Sequence, residues 1–251
     1  MNPYETDKFV SDYLLFHYGS EDEILGRVPG PRDGLNFPRR SVGDLIGPMG
    51  RESRALDVGC AVGRASFELA RYANTVIGID YSSRFITAAQ ELKAHGHIDS
   101  SYLVEGIVTA PFRAEVPGGI QRDRVSFETG DAMELRPDLG EFDVVLAANL
   151  ICRLPDPRRF LARLPALVKP GGQLLLTTPF TWLEEFTPRE NWLGGRDPDD
   201  ARSWDTLRAI LEPQFEFQIS KELPFLIREH ARKFQYGVAL GSRWRRRPEP
   251  Q

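Results

Sequence analysis

The stretch TTPFTWLEEFTPRENWLGG, Thr177–Gly195, sets Phe180, Trp182, Phe186 and Trp192 around the adjacent acids Glu184 and Glu185. Carboxylates beside aromatic faces can stabilise positive charge on a bound molecule. A plain connecting loop needs neither. A second constellation is LDVGCAVGRASFELA, where Asp57 closes an apolar run, Gly59, Ala61 and Gly63 form a loop, and a helical pattern follows. Such a turn lets a ligand approach the backbone closely, with helix amides facing it. It is not the dinucleotide fingerprint, because Ala61 and Arg64 stand where the second and third glycines belong. The four histidines, His17, His95, His97 and His230, show no metal spacing, and AHGHIDS reads as a helix-ending turn. No metal is expected.

A chain of 251 residues suits one large α/β domain with a small appendage. Its net charge of −4 argues against nucleic acid or an anionic membrane as partner. The one basic run, Arg243 with Arg245 to Arg247 around Trp244, reads as a solvated C-terminal tail. No apolar segment approaches membrane-spanning length, and the start MNPYETDKFV is too polar for a signal peptide. With Cys60 and Cys152 as the only cysteines, no disulfide framework is implied, and a reducing cytoplasm fits.

The elements that must position these residues alternate. ALDVG, TVIGID, RVSFETGD, FDVVLAANL and QLLLTT read as five strands separated by helical patterns, among them RASFELARYA and SSRFITAAQELKAHG. FDVVLAANL is almost wholly apolar, as a strand covered on both faces must be. FEFQISKELPFLIREHARKFQYGVALGSRWR adds two final strands. The repetition predicts an α/β, doubly wound, mostly parallel sheet of seven strands. Residues 102–121 read as a hairpin insertion turning at Pro117-Gly118-Gly119. Residues 1–50, rich in aromatics, Pro and Gly, read as an N-terminal cap on the domain of residues 51–251.

With Asp57 two residues ahead of it, the glycine loop resembles motif I of class I S-adenosylmethionine-dependent methyltransferases. The resemblance implies that fold and cofactor. It implies that Asp80 in GIDYS, with Tyr81 beside it, binds ribose hydroxyls, and that Asp131 faces the adenine amino group, with the Ala132 amide nearby. It places AANL, with Asn149, beneath the methionine part and the acceptor. A tyrosine-rich cap (Tyr4, Tyr13, Tyr18) is similar to that of small-molecule amine methyltransferases, where it closes over the cofactor and touches the acceptor. An NAD-dependent oxidoreductase is the rival class.

The combination NPYETD…YLLFHYG, NFP, LDVGCAVGRASFELAR, GIDYSSRFI, LAANLICRL, TWLEEFTPRENWLGG and LPFLIREHARKFQ resembles the 4-mercaptohistidine N1-methyltransferases of ovothiol biosynthesis, from Asn2 to about Arg245. That implies an imidazole nitrogen of a thiol-histidine as acceptor and a separate sulfoxide synthase as functional partner. Cys152 stands where that pattern carries an acid. Phe37, Asn149, Trp182, Glu184, Glu185, Arg228 and Glu229 are the expected acceptor contacts, with Arg228 at the pocket rim for the carboxylate and Arg39 or Arg40 as its substitute. Glu184, Glu185 and His17 stand open as the base. The alternatives are another small amine or aromatic acceptor, and a non-catalytic cofactor-binding regulatory module.

Overall fold

A computed structural model describes residues 5–50 and 52–248. Asp7–Tyr18 (α1) starts where Thr6 Oγ1 accepts from the Phe9 N–H, and it buries Leu14 and Leu15. Ser20 and Glu23 form a reciprocal capping box on Glu21–Ile24 (α2), and Pro38 stands in the first turn of Phe37–Gly43 (α3). Arg54–Val58 (β1), Arg64–Leu69 (α4), Thr75–Asp80 (β2) and Ser83–His95 (α5) then alternate. The last of these begins at the Ser82 cap and ends at Gly96, whose φ of 82° suits a residue without Cβ.

His97–Glu105 (β3) and Val108–Glu115 (β4) pair as an antiparallel hairpin apart from the main sheet. This corrects the expected insertion. The turn is the two-residue Gly106-Ile107, with Gly106 at a φ of 57°, while Pro117-Gly118-Gly119 lies beyond the hairpin. Both turns carry glycine, and only strand pairing distinguishes them. Next come Val125–Thr129 (β5), Phe142–Ala148 (β6), Pro157–Arg163 (α6), Val168–Thr178 (β7), Ser203–Leu211 (α7), Phe215–His230 (β8) and Lys233–Arg246 (β9).

The main sheet is seven-stranded in the order β5-β2-β1-β6-β7-β9-β8. The first five of these run parallel, and β9 is antiparallel to both β7 and β8. Successive residues serve opposite faces: Val144 and Leu146 enter one core, Val145 and Ala147 the other. This is the doubly wound α/β sheet with helices on both faces that the alternation predicts. Leu14, Leu15, Ile24 and Phe37 of the N-terminal helices share the first core with Val62 and Phe67.

The basic run is not a tail. Arg243, Trp244, Arg245 and Arg246 lie within β9, where Trp244 is fully buried against Trp204 and Phe217. Arg243 Nη1 donates to the Leu45 carbonyl at 3.1 Å. Strand alternation puts one large apolar ring on one face between cations on the other, a pattern that reads as a charge cluster in one dimension. Among the described residues no helix is long and apolar enough to cross a membrane.

Candidate active site

Strand order reverses between β1 and β6, and a cavity of about 820 Å³ lies there, lined by the carboxyl ends of the parallel strands. One end is built on the glycine loop. Gly59 has a φ of 77°, and a Cβ there would come within 3.0 Å of Leu150 Cδ1. The Ala61 N–H donates to Asp80 Oδ2 at 2.8 Å and the Ser82 N–H to Asp80 Oδ1 at 2.9 Å, so one carboxylate fixes the loop and the start of α5. Asp57 is buried. Its Oδ2 accepts from Ser66 Oγ at 2.6 Å, and its Oδ1 has no partner. Burial, aided by the nearby Asp80 charge, pushes Asp57 up to about 7 against the Ser66 hydrogen bond. Burial also raises Asp80.

Tyr81, Asp131 and Ala132 line the same end of the chain's sheet edge, and Asp131 Oδ1 caps a helical turn by accepting from the Met133 N–H at 2.8 Å. Asn149 adopts a φ of 52°; its N–H donates to the Thr177 carbonyl and its Oδ1 accepts from Thr177 Oγ1. This left-handed asparagine turns the chain after β6 towards the cavity.

Tyr13, Phe16 and His17 of α1, Phe37 of α3 and Phe225 of β8 supply aromatic walls. Gly237 leaves room for the Phe225 ring, which a Cβ would strike. His17 Nδ1 is buried without a partner, and burial, with the Arg64 charge second, pushes the imidazole down to about 3. His17 is therefore neutral at ordinary pH. Glu185 and Phe186 reach the cavity from the loop after β7, as does Arg153 from the turn after β6. Both cysteines, Cys60 and Cys152, are free, buried and in the cavity lining.

Several expected contacts lie elsewhere. Gly63 packs behind the loop, where a Cβ would come within 2.6 Å of Phe127 Cζ. Tyr18 Oη donates to the Val62 carbonyl at 2.9 Å, bracing the loop from its far side. Trp182 Nε1 donates to Ser203 Oγ, and Glu184 is exposed outside the lining. Glu229 pairs with Lys233 and Gln235. Tyr4 lies outside the described residues.

Arg228 is the clearest correction. Phe225 and Ile227 line the cavity, so strand alternation sends Arg228 to the opposite side. It is buried there, with Nη1 donating to the Ile24 carbonyl at 2.9 Å and its guanidinium over the Tyr102 ring at 4.8 Å. The substitute Arg40 donates to the Leu35 and Pro224 carbonyls, and Arg39 does not line the cavity. Sequence reasoning missed Phe16, Arg153, Phe225 and Tyr236. The sequence LICRL marks Arg153 only as one charge in an apolar turn.

The chain was compared with known proteins. It is 30% identical over 171 residues to a ubiquinone biosynthesis O-methyltransferase of Azorhizobium caulinodans, covering 68% of this chain and 49% of that protein. It is 28% identical over 180 residues to a 2-methyl-6-phytyl-1,4-hydroquinone methyltransferase of a Synechocystis species, covering 68% and 48%. The chain thus spans about half the length of the curated relatives it matches. Among solved structures, a S-adenosylmethionine-dependent methyltransferase of Methanosarcina mazei superposes with a TM-score of 0.54 at 20% identity over 82% of this chain and 100% of that one. The [4+2]-cyclase SpnF reaches 0.58 at 16% identity over 97% and 94%. These likenesses show the shared fold, which alone does not fix a reaction. A model described as "Methyltransferase domain" matches residues 35–213, more than half of the chain. The cofactor is S-adenosyl-L-methionine, and the chain belongs to the methyltransferase-domain family.

Proposed function

We propose that the protein transfers a methyl group from S-adenosylmethionine to an imidazole nitrogen of a thiol-histidine, 4-mercaptohistidine, giving ovothiol. The observation that carries this reading is the acceptor wall: a neutral His17 among the rings of Tyr13, Phe16, Phe37 and Phe225, in a cavity that also presents Glu185 and Arg153. Flat rings, a hydrogen-bonding imidazole and charges of both signs complement a flat, zwitterionic acceptor. The near full-length resemblance to 4-mercaptohistidine N1-methyltransferases supports the same acceptor, supplied in this reading by a separate sulfoxide synthase.

The residues present fit the cofactor. The unpartnered Oδ1 of Asp57 offers an acceptor to a ligand's donor, and the side-chain-free Gly59 admits close backbone approach. In this reading Asp57, Gly59 and Ala61 hold its amino-acid end, Asp80 and Tyr81 its ribose, Asp131 and Ala132 its base, and Asn149 the junction with the acceptor. Gly63 and Tyr18 support the loop without touching the ligand. Residues 1–50 act as a cap that completes the acceptor wall on the domain of residues 51–251. When bound, the cofactor supplies a sulfonium methyl for in-line transfer to a nucleophile and leaves as S-adenosylhomocysteine.

The chain's own work is to position the acceptor and manage its proton. A near-attack pose is worth up to roughly 7–11 kcal/mol. The attacking nitrogen needs its lone pair, so its proton must go to a base or to the other ring nitrogen. Of the three residues open for this role, Glu184 lies outside the cavity. Neutral His17 accepts a hydrogen bond and sets the ring tautomer, and Glu185 takes the proton. A retained acceptor cavity argues against a non-catalytic module.

A second reading, O-methylation of a hydroxylated aromatic ring, is favoured by the names of the curated relatives. Incubation with S-adenosylmethionine and a panel of histidine derivatives and dihydroxy aromatics, followed by mass spectrometry, tests both. A methylated thiol-histidine supports the first; methylation of only the phenolic compounds replaces it with the second.

A further inference from the structure

Among the described residues Arg153 is the only lysine or arginine in the cavity lining. Its side-chain hydrogen bonds all come from one terminal nitrogen. Nη1 donates to the Cys152 carbonyl at 3.2 Å and the Thr181 carbonyl at 3.3 Å, and approaches Cys152 Sγ at 3.9 Å. The guanidinium lies 4.8 Å above the Phe186 ring centre. The opposite edge, Nε with Nη2, has no hydrogen-bond partner among the described residues, and Arg153 makes no ion pair with Glu185 or any other described acid.

That edge is the one arginine uses to grip a carboxylate side-on, and other described arginines do so here. Arg113 Nε and Nη2 hold the two oxygens of Asp99 at 2.7 and 3.0 Å. Arg196 holds Asp200 at 2.7 and 2.9 Å, and Arg136 holds Glu128 at 3.0 and 3.4 Å. In Arg153 the same fork is already oriented, because two backbone carbonyls and an aromatic face fix the guanidinium. A fixed planar fork loses little freedom when it binds a matching anion.

We propose that Arg153 binds a carboxylate of the acceptor through Nε and Nη2, which makes the acceptor class a carboxylate-bearing small molecule and Arg153 its specificity-determining residue. The inference rests on the small-molecule reading above, but not on thiol-histidine in particular. It replaces the rim position with one in the turn after β6, in a cavity whose lining also holds the acid Glu185, which is then available for the positive group of an amino-acid acceptor.

Two matched pairs of acceptors test it: 4-mercaptohistidine against its decarboxylated amine, and 3,4-dihydroxybenzoate against catechol. Wild type should favour the carboxylated member of whichever pair it methylates by roughly tenfold or more in kcat/KM, the scale of one lost charge-assisted contact. Arg153→Gln should erase that preference by slowing only the carboxylated member, and Arg153→Lys should restore part of it. Affinity for S-adenosylhomocysteine by calorimetry should stay within about twofold, as for a contact made by the acceptor alone. An equal loss on both members would reduce Arg153 to a loop brace. A wild type that does not discriminate, or that turns over no member of either pair, also overturns the inference without any variant having to fold. Turnover of the benzoate pair alone, with the preference erased by Arg153→Gln, keeps the inference and removes thiol-histidine.

Discussion

The Asp80 carboxylate and the Ala61 N–H meet at 2.8 Å, so the acid that closes β2 holds the loop that closes β1. The same acid caps Ser82 at the head of α5. Asp80→Ala should therefore disturb loop and ligand together. Binding of S-adenosylmethionine should weaken by about 1–3 kcal/mol, the cost of leaving polar groups unpaired. Calorimetry on a folded variant checks this, and unchanged affinity would remove Asp80 from the site.

Arg228→Ala should lower stability and leave acceptor KM nearly unchanged. The side chain is buried and donates to the Ile24 carbonyl, so truncation strands that carbonyl inside the protein. The expected cost is about 1–3 kcal/mol in urea unfolding. A tenfold rise in acceptor KM at unchanged stability would return Arg228 to the acceptor pocket.

Two buried groups should give the stability curve opposing slopes. Asp57 titrates near 7 in the folded chain against an ordinary 3.8, so between those values the folded state binds more protons and stability falls as pH rises. His17 titrates near 3 against 6.5, so across that window the unfolded state binds more protons and stability rises with pH. The two windows overlap between about pH 4 and 6.5, where each slope is at most about 1.4 kcal/mol per pH unit. The two nearly cancel in the wild type, so Asp57→Asn should leave a rise there and His17→Gln a fall. Urea titrations at pH 4, 5 and 6 read both; identical profiles for the three proteins would refute the opposition.

Cys60 and Cys152 should be dispensable for methyl transfer although both line the cavity. Burial pushes both thiols up, so neither is a ready thiolate at neutral pH. The double variant Cys60→Ser, Cys152→Ser should fold and keep turnover within about threefold, since no step needs a protein nucleophile. A folded double variant without activity would show that one of them contributes directly.

The strand-end half of the cavity was legible because Asp57, Asp80, Asp131 and Asn149 each follow a strand-like run before a turn and match positions that the methyltransferase resemblance singles out, and the structure brings all four to one cavity. The acceptor half was not, because it depends on which way side chains leave their strands. Arg228 stands one residue from Ile227, yet a single step along β8 moves a side chain from the cavity to the far face. Arg153 carries no local signal that separates it from a solvated charge, and only the folded turn reveals its unused edge. Residues 117–119 read as the hairpin turn, and only the antiparallel register of β3 with β4 puts that turn at residues 106–107 instead.

The β8–β9 hairpin both ends the sheet and walls the cavity with Phe225, Ile227 and Tyr236. It begins at residue 215, just past the stretch of 35–213 that matches the family, and α1, ending at residue 18, lies before it. Part of the cavity wall, Phe16 and His17 of α1 with Phe225, Ile227 and Tyr236 of the hairpin, thus lies outside the matched stretch, while Phe37, Arg153 and Glu185 lie inside it. Exchange of the two end segments would reshape that part of the wall and leave Asp57, Asp80 and Asp131 of the parallel strands in place.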